Sequence, residues 1–239
     1  MAPEEEAAQL VAAASCAGEL ETLVRRREAG EPLAWLVGAV EFCGLRISVH
    51  PGVYVPRPQT EALAERAASL LPPAGVAVDL CTGAGAVAAV LAARRPGATV
   101  VATDIDAGAV ACARANGVDA RHGDLDGPLP PSLVGVVDLI TAVAPYVPTE
   151  ELQFLSRDVR AFEPRRALDG GPTGMRVLSE VVRRATRWLR QGGWLLLELG
   201  GGQAATVAAG METAGFECIA VLPDAEGDDR GIEGRRFLS

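Results

Sequence analysis

Residues 76–106 read VAVDLCTGAGAVAAVLAARRPGATVVATDID. An apolar run, Val76–Leu80, ends in Cys81-Thr82-Gly83-Ala84-Gly85, a helix-like segment follows, and a second apolar run ends at Asp104-Ile105. Glycines let a backbone turn sharply and pass close to a ligand, and the helix start beyond them offers unpaired N–H groups. A carboxylate at the tip of the neighbouring strand is placed to accept hydrogen bonds from two vicinal ribose hydroxyls. That is the role expected of Asp104.

Two ligand classes fit this geometry. Gly83-x-Gly85-x-x-Ala88, with an acid further on, matches the loose dinucleotide fingerprint of a nicotinamide enzyme. Asp79, inside the strand before the loop, favours S-adenosylmethionine instead. A carboxylate there repels a pyrophosphate but orients the ammonium end of a sulfonium amino acid, directly or through water. Further along, His122-Gly123-Asp124 closes a third candidate strand. Asp124 at its tip is expected to accept from an adenine amino group, with Leu125 covering the ring. The plainer alternatives are a tight strand-to-helix turn for the glycines and a turn residue before Gly127-Pro128 for Asp124.

These residues need a wound α/β sheet to bring them together. Candidate strands are Val76–Leu80, Thr99–Ile105, Ala120–His122, Val136–Ala142, Trp194–Leu199 and Glu217–Leu222, with a short last strand at Arg236–Leu238. Helices are expected at Ala86–Arg94, Ala107–Asn116, Glu150–Ala161, Met175–Arg190 and Gln203–Ala214. Strands that are apolar throughout, separated by such helices, imply a parallel sheet covered on both faces. Ahead of this main domain (residues 73–239) lie a short helical segment (1–30) and a linker (31–72). The helical segment is read as one helix over Glu4–Ala29. The linker is read as a hairpin, Glu41–Val49 and Gly52–Val55 turning at His50-Pro51-Gly52, followed by the helix Leu63–Leu71. The tract Asp224–Asp229 is read as a solvated loop.

Composition narrows the function classes. The chain has 239 residues, room for one large domain with a small appendage. Its net charge of −9, from 22 basic and 31 acidic side chains, argues against a broad nucleic-acid face, which needs Lys and Arg to neutralise phosphates. Five cysteines form no CxxC pair and only two histidines accompany them, so neither a disulfide framework nor a metal site is expected. The start Met-Ala-Pro-Glu-Glu-Glu lacks the basic-then-apolar pattern of a secretory signal, and no uncharged apolar run is long enough to span a bilayer. A cytoplasmic protein that binds no membrane is expected.

Seven stretches, EPLAWLVGAVEFCGLRISVHPGVYVPRPQTE, DLCTGAGAVAAVLA, ATDID, APYVP, FEPRRALDGGPTGM, GGWLLLELGGGQ and DDRGIEGRR, together resemble the release-factor glutamine methyltransferase family. The likeness runs in order from about Glu31 to Arg236. It implies a Rossmann-like class I methyltransferase with a mostly parallel seven-stranded sheet and helices on both faces. It further implies S-adenosylmethionine as cofactor, held by residues 81–85, Asp79, Asp104, Ile105, Asp124, Leu125 and Val143. The implied reaction is methyl transfer to the side-chain amide of a glutamine in a peptide release factor, or in another protein substrate.

Within that resemblance, Val143, Ala144, Pro145 and Tyr146 occupy the place of the family's Asn-Pro-Pro-Tyr, the catalytic segment. The family's Asn grips the substrate amide through its own amide, and the backbone carbonyl after it accepts the second hydrogen bond. Ala144 retains the carbonyl; Val143 brings no polar group. Pro145-Tyr146 is expected to wall the site, with the aromatic face where the acceptor enters, although a simple rim aromatic is the plainer alternative. Gln59 replaces the first Glu of the family's Pro-Arg-Pro-Glu-Thr-Glu, and Cys81, read as a packing residue, replaces the loop's first glycine. The N-terminal helical region is shorter than the family's, which touches release-factor docking. Direct displacement needs alignment of acceptor, methyl and sulfur and exclusion of water, so neither His50 nor His122 is required as a base. Two alternatives stand beside this: a methyltransferase with another acceptor, and a cofactor-binding protein without catalysis.

Overall fold

A computed structural model describes residues 3–224 and 227–237. Three helices open the chain, α1 (Pro3–Ala13), α2 (Ala17–Glu28) and α3 (Leu33–Val37), followed by a hairpin of β1 (Ala39–Phe42) and β2 (Leu45–Ser48) and by α4 (Glu61–Leu70). The main domain then alternates β3 (Val76–Leu80), α5 (Ala86–Arg94), β4 (Thr99–Asp104), α6 (Ala107–Ala115), β5 (Asp119–His122) and β6 (Val137–Ala142). It continues through α7 (Arg157–Phe162), α8 (Arg176–Trp188), β7 (Leu189–Glu198), α9 (Ala204–Thr213), β8 (Phe216–Pro223) and β9 (Asp229–Arg236).

The expected α/β sheet has seven strands in the order β5-β4-β3-β6-β7-β9-β8. Strands β5 to β7 run parallel, and β9 is antiparallel to both of its neighbours. From β3 the chain moves outward to β4 and β5, then crosses back to β6 on the other side. Such a reversal opens a crevice at the carboxyl ends of β3 and β6, where open α/β sheets bind ligands. Alternate residues of the buried strands serve opposite faces. Leu139 and Leu196 pack under α4 and α5, while Ile140, Leu195 and Leu197 pack against α8 and α9. Leu196 is 0% exposed, so Leu196→Ala is expected to cost about 2–5 kcal/mol in denaturant unfolding.

Several boundaries depart from the sequence expectation. The first helix is two, because Cys16 is extended (φ −155, ψ 167) and the Glu19 carboxylate reaches back past it to accept from the Ser15 N–H at 2.7 Å. The hairpin turns at Cys43-Gly44, not at His50–Gly52. Both turn residues have positive φ (49 and 74), the type I′ geometry that matches strand twist, and a cysteine at the first position hides it. Residues 52–55 form no strand; a separate turn (Val53 N–H to His50 C=O, 3.1 Å) carries them to the site. The helix expected over Glu150–Ala161 is a 3-10 turn, Thr149–Phe154, and then α7, because Leu155 is extended. β7 begins at Leu189, straight after α8, with a register shift against β6 that absorbs the Gly192-Gly193 stretch. The last strand is Asp229–Arg236. The Leu238 end of the expected strand, and Ala225 and Glu226 of the acidic tract, lie outside the described residues; Asp224 in that tract pairs with Arg230 at 2.9 Å. Among the described residues no helix is long and apolar enough to cross a membrane.

Candidate functional site

A cleft of about 810 Å³ opens at the carboxyl ends of β3, β4 and β6, roofed by Val53, Tyr54 and Pro56 of the linker. The Cys81–Gly85 loop forms its floor. Gly83 has φ 57 and a Cβ there would meet nothing within 4 Å, so the backbone presents an open, unshielded face. Gly85 is needed for a different reason. At φ 82 its missing Cβ would sit 2.9 Å from that of Ala113, so it lets α5 press against α6 rather than lining the cleft. Cys81 holds a left-handed φ of 56, and burial pushes its thiol far up, leaving an inert packing group.

Asp104 organises the loop. One carboxylate oxygen accepts from Gly83 N–H (2.9 Å), the other from Asp106 N–H (2.8 Å). Burial raises this carboxyl, opposed by those two amides. Each oxygen keeps a lone pair for a further donor. Ile105, 57% exposed at the rim, offers an apolar face to a flat ring. Asp79 is 1% exposed and accepts from Thr82 Oγ1 (2.6 Å) and Thr141 Oγ1 (2.7 Å). Burial pushes it up to about 6 against the pull of both hydroxyls.

The opposite wall is the segment after β6. Val143 and Pro145 line the cleft, whereas Ala144 and Tyr146 line a smaller hollow of about 260 Å³ behind it. Val143 and Tyr54 border both spaces. Asp124 and Leu125 do not join them. The Asp124 carboxylate turns to Arg184 of α8 at 3.4 Å, and Leu125, at φ 45, is buried in the apolar cluster on the α8 and α9 side. Arg184, whose hydrogen bonds go to Glu180 and Asp126, is not signalled as a neighbour of Asp124 in the sequence.

Sequence reasoning missed several residues here. Arg166 lines the cleft and pairs with Asp106 at 3.2 Å. Thr141 sits in a run that reads as purely apolar, so only the three-dimensional register, Asp79 opposite Thr141, discloses it. Tyr54 is signalled by nothing but its type; Arg57 lies 4.9 Å over its ring, and burial pushes its hydroxyl up to about 12. Neither histidine lines the cleft: the His122 ring meets the Ile105 carbonyl at 3.0 Å, and exposed His50 is tied in only by its backbone N–H, which reaches Cys112 Sγ at 3.4 Å. Among the described residues no cluster of His, Cys, Asp and Glu is arranged for a metal ion.

With this geometry in place, comparison with known proteins is informative. The model of the methyltransferase small domain matches residues 45–124, which span the second hairpin strand through Asp124. The release factor glutamine methyltransferase of Geobacter sulfurreducens is 40% identical over 228 residues, covering 93% of this chain and 78% of that protein. That of Mycolicibacterium smegmatis is 40% identical over 224 residues, covering 91% and 79%. Among solved structures, a methyltransferase from Pyrococcus furiosus superposes with a TM-score of 0.58 at 19% identity, covering 91% of this chain and 98% of that one. The fold is that of a class I methyltransferase.

Proposed function

Because this chain belongs to the release factor glutamine methyltransferase family, we propose that it transfers a methyl group from S-adenosylmethionine to a glutamine side-chain amide of a peptide release factor, using the cleft over β3, β4 and β6. The observation that carries this reading is the pairing of two unlike walls. One is an acid-bearing glycine loop suited to a nucleoside with a cationic amino-acid end. The other is the apolar pair Val143 and Pro145, with Ala144 and Tyr146 in the hollow behind them. Residues 73–239 are the catalytic domain in this reading.

The cofactor fits the residues present. Asp104 has a free lone pair on each oxygen that would accept from ribose hydroxyls, Gly83 leaves the floor open, Ile105 would offer its apolar face to the adenine, and Asp79 would attract the ammonium end. Bound there, S-adenosylmethionine supplies an electrophilic methyl on a sulfonium. The chain's own part is to hold the acceptor amide in line, through the Ala144 carbonyl, and to exclude water with Val143, Pro145 and Tyr146. A neutral amide nitrogen loses its proton after methylation, so no buried base is needed. Titration calorimetry with S-adenosylmethionine, followed by labelled-methyl transfer to a release factor, tests the assignment. Binding without transfer to the release factor or to any lysate protein would leave the non-catalytic alternative standing.

Asp79 gives this reading a pH signature. Its folded value, near 6, lies above the ordinary 3.8. Its contribution to the stability of the ligand-free protein is therefore full below about 3.8 and lost as pH rises through about 6. Cofactor binding runs the other way, since only the ionised carboxylate attracts an ammonium. Affinity is expected to fall by up to about tenfold per pH unit below about 6. In Asp79→Asn the affinity should be low and flat with pH, as calorimetry across that range would record.

A further inference from the structure

Tyr146 is held at both of its polar ends by the chain that leaves β7. Its hydroxyl donates to Glu198 Oε1 at 3.1 Å, and the other Glu198 oxygen accepts from Thr60 Oγ1 at 2.5 Å. Its carbonyl accepts from Gln203 Nε2 at 2.8 Å, while Gln203 Oε1 accepts the Gly200 N–H at 2.9 Å. Gln203 stands at the N-cap of α9, yet its side chain makes no capping bond and is buried beneath the wall. Its amide oxygen is thus anchored within its own loop, and its amide nitrogen reaches across to the segment after β6.

The FEPRRALDGGPTGM stretch closes the same clamp from the other side. Val147 donates to Leu168 C=O (3.0 Å) and accepts from Gly170 N–H (2.9 Å), and Thr149 Oγ1 donates to Asp169 (2.7 Å). A Cβ on Gly174 would overlap both the Tyr146 carbonyl oxygen and Gln203 Nε2, and one on Gly170 would sit 2.7 Å from the Pro145 carbonyl oxygen. These glycines let the stretch press directly against the Pro145 and Tyr146 carbonyls.

We propose that Gln203 is a positioning residue for methyl transfer: by holding the Tyr146 carbonyl while Glu198 holds its hydroxyl, it fixes the aromatic wall against which the acceptor lies. The inference rests on the assigned reaction for its activity readout, but the clamp itself is observable without it. Misplacing an aligning group by about 1 Å costs roughly a hundredfold in rate.

Two variants and a probe test this. Tyr54 and Tyr146 are the chain's only tyrosines, so ring-labelled carbon-13 tyrosine gives two sets of signals, assigned with Tyr54→Phe. In Gln203→Leu the Tyr146 ring signal should shift and broaden, and kcat on a release factor should fall about ten- to a hundredfold at unchanged KM for S-adenosylmethionine. In Gln203→Glu an ionised carboxylate faces the Tyr146 carbonyl and cannot donate to it. At about pH 8 this variant should be as slow as Gln203→Leu, and should recover relative to wild type as the introduced carboxyl, raised by burial, takes up a proton and donates again. Dividing by the wild-type rate at each pH, under saturating cofactor, removes the titration of Asp79 and of Glu198 beside the Tyr146 hydroxyl, while Arg230, which acts on both, stays charged throughout. An unmoved Tyr146 signal in Gln203→Leu, or a Gln203→Glu ratio flat with pH, overturns the proposal. If the wild-type protein methylates no release factor, the assigned function fails, and the ring signals still decide the clamp.

Discussion

Asp104→Ala is expected to weaken S-adenosylmethionine binding by about a hundredfold or more while leaving the fold intact. Two ribose hydroxyls bonded to one ionised carboxylate contribute about 1.5–3 kcal/mol each, and about 1.4 kcal/mol corresponds to a tenfold change in Kd. Asp104 also orders the loop that it serves, through the Gly83 and Asp106 amides at 2.9 and 2.8 Å, so its loss relaxes the floor as well. Those amides lie beside an open cleft, where water replaces the carboxylate, and the ligand-free protein gains by shedding a buried charge close to Asp79. Thermal unfolding without ligand should therefore shift little, while the stabilisation produced by added cofactor disappears. A variant that keeps the cofactor-induced shift would remove the ribose role from Asp104.

The parts of this molecule that are local in chain and regular in period were legible before any fold was known. Val76–Leu80 and Ala86–Arg94 come out at their expected bounds because an apolar run, a glycine turn and an alanine-rich helix each announce themselves within a few residues. The hairpin turn was not legible, since Cys43 stands where Asn or Gly would have signalled positive φ. The site divides in the same way. Asp79 and Asp104 could be placed because each ends or precedes a recognisable turn. Thr141, Tyr54, Arg166 and Gln203 could not, because their roles exist only across the sheet or between loops far apart in sequence. Asp124 shows the converse: its position just past a strand tip is as expected, yet its carboxylate lies beside Arg184, 60 residues later, and not in the cleft.

Val143→Asn is expected to raise methylation of a release-factor glutamine by about ten- to a hundredfold in kcat/KM. Val143 borders both the cleft and the hollow lined by Ala144 and Tyr146, and it packs partly buried against the core. A glutamine amide presented there finds the Ala144 carbonyl but, opposite Val143, only methyl groups. An unpaired polar group in a dry site costs about 1–3 kcal/mol, the range that corresponds to this gain. An asparagine side chain restores the second partner, which the resemblance assigns to this position. Some of the gain is offset in stability, because a polar amide replaces a partly buried valine in the absence of substrate. Cofactor affinity should stay within about twofold, since Asp79, Asp104 and the glycine loop are untouched. The comparison also separates the two enzymatic readings. If the native acceptor is the release-factor glutamine, wild type shows measurable transfer and the variant improves it. If the native acceptor is another group suited to an apolar wall, the variant loses that activity as it gains the amide one. A variant that binds cofactor normally and leaves both rates unchanged would mean that the acceptor does not pass Val143 at all.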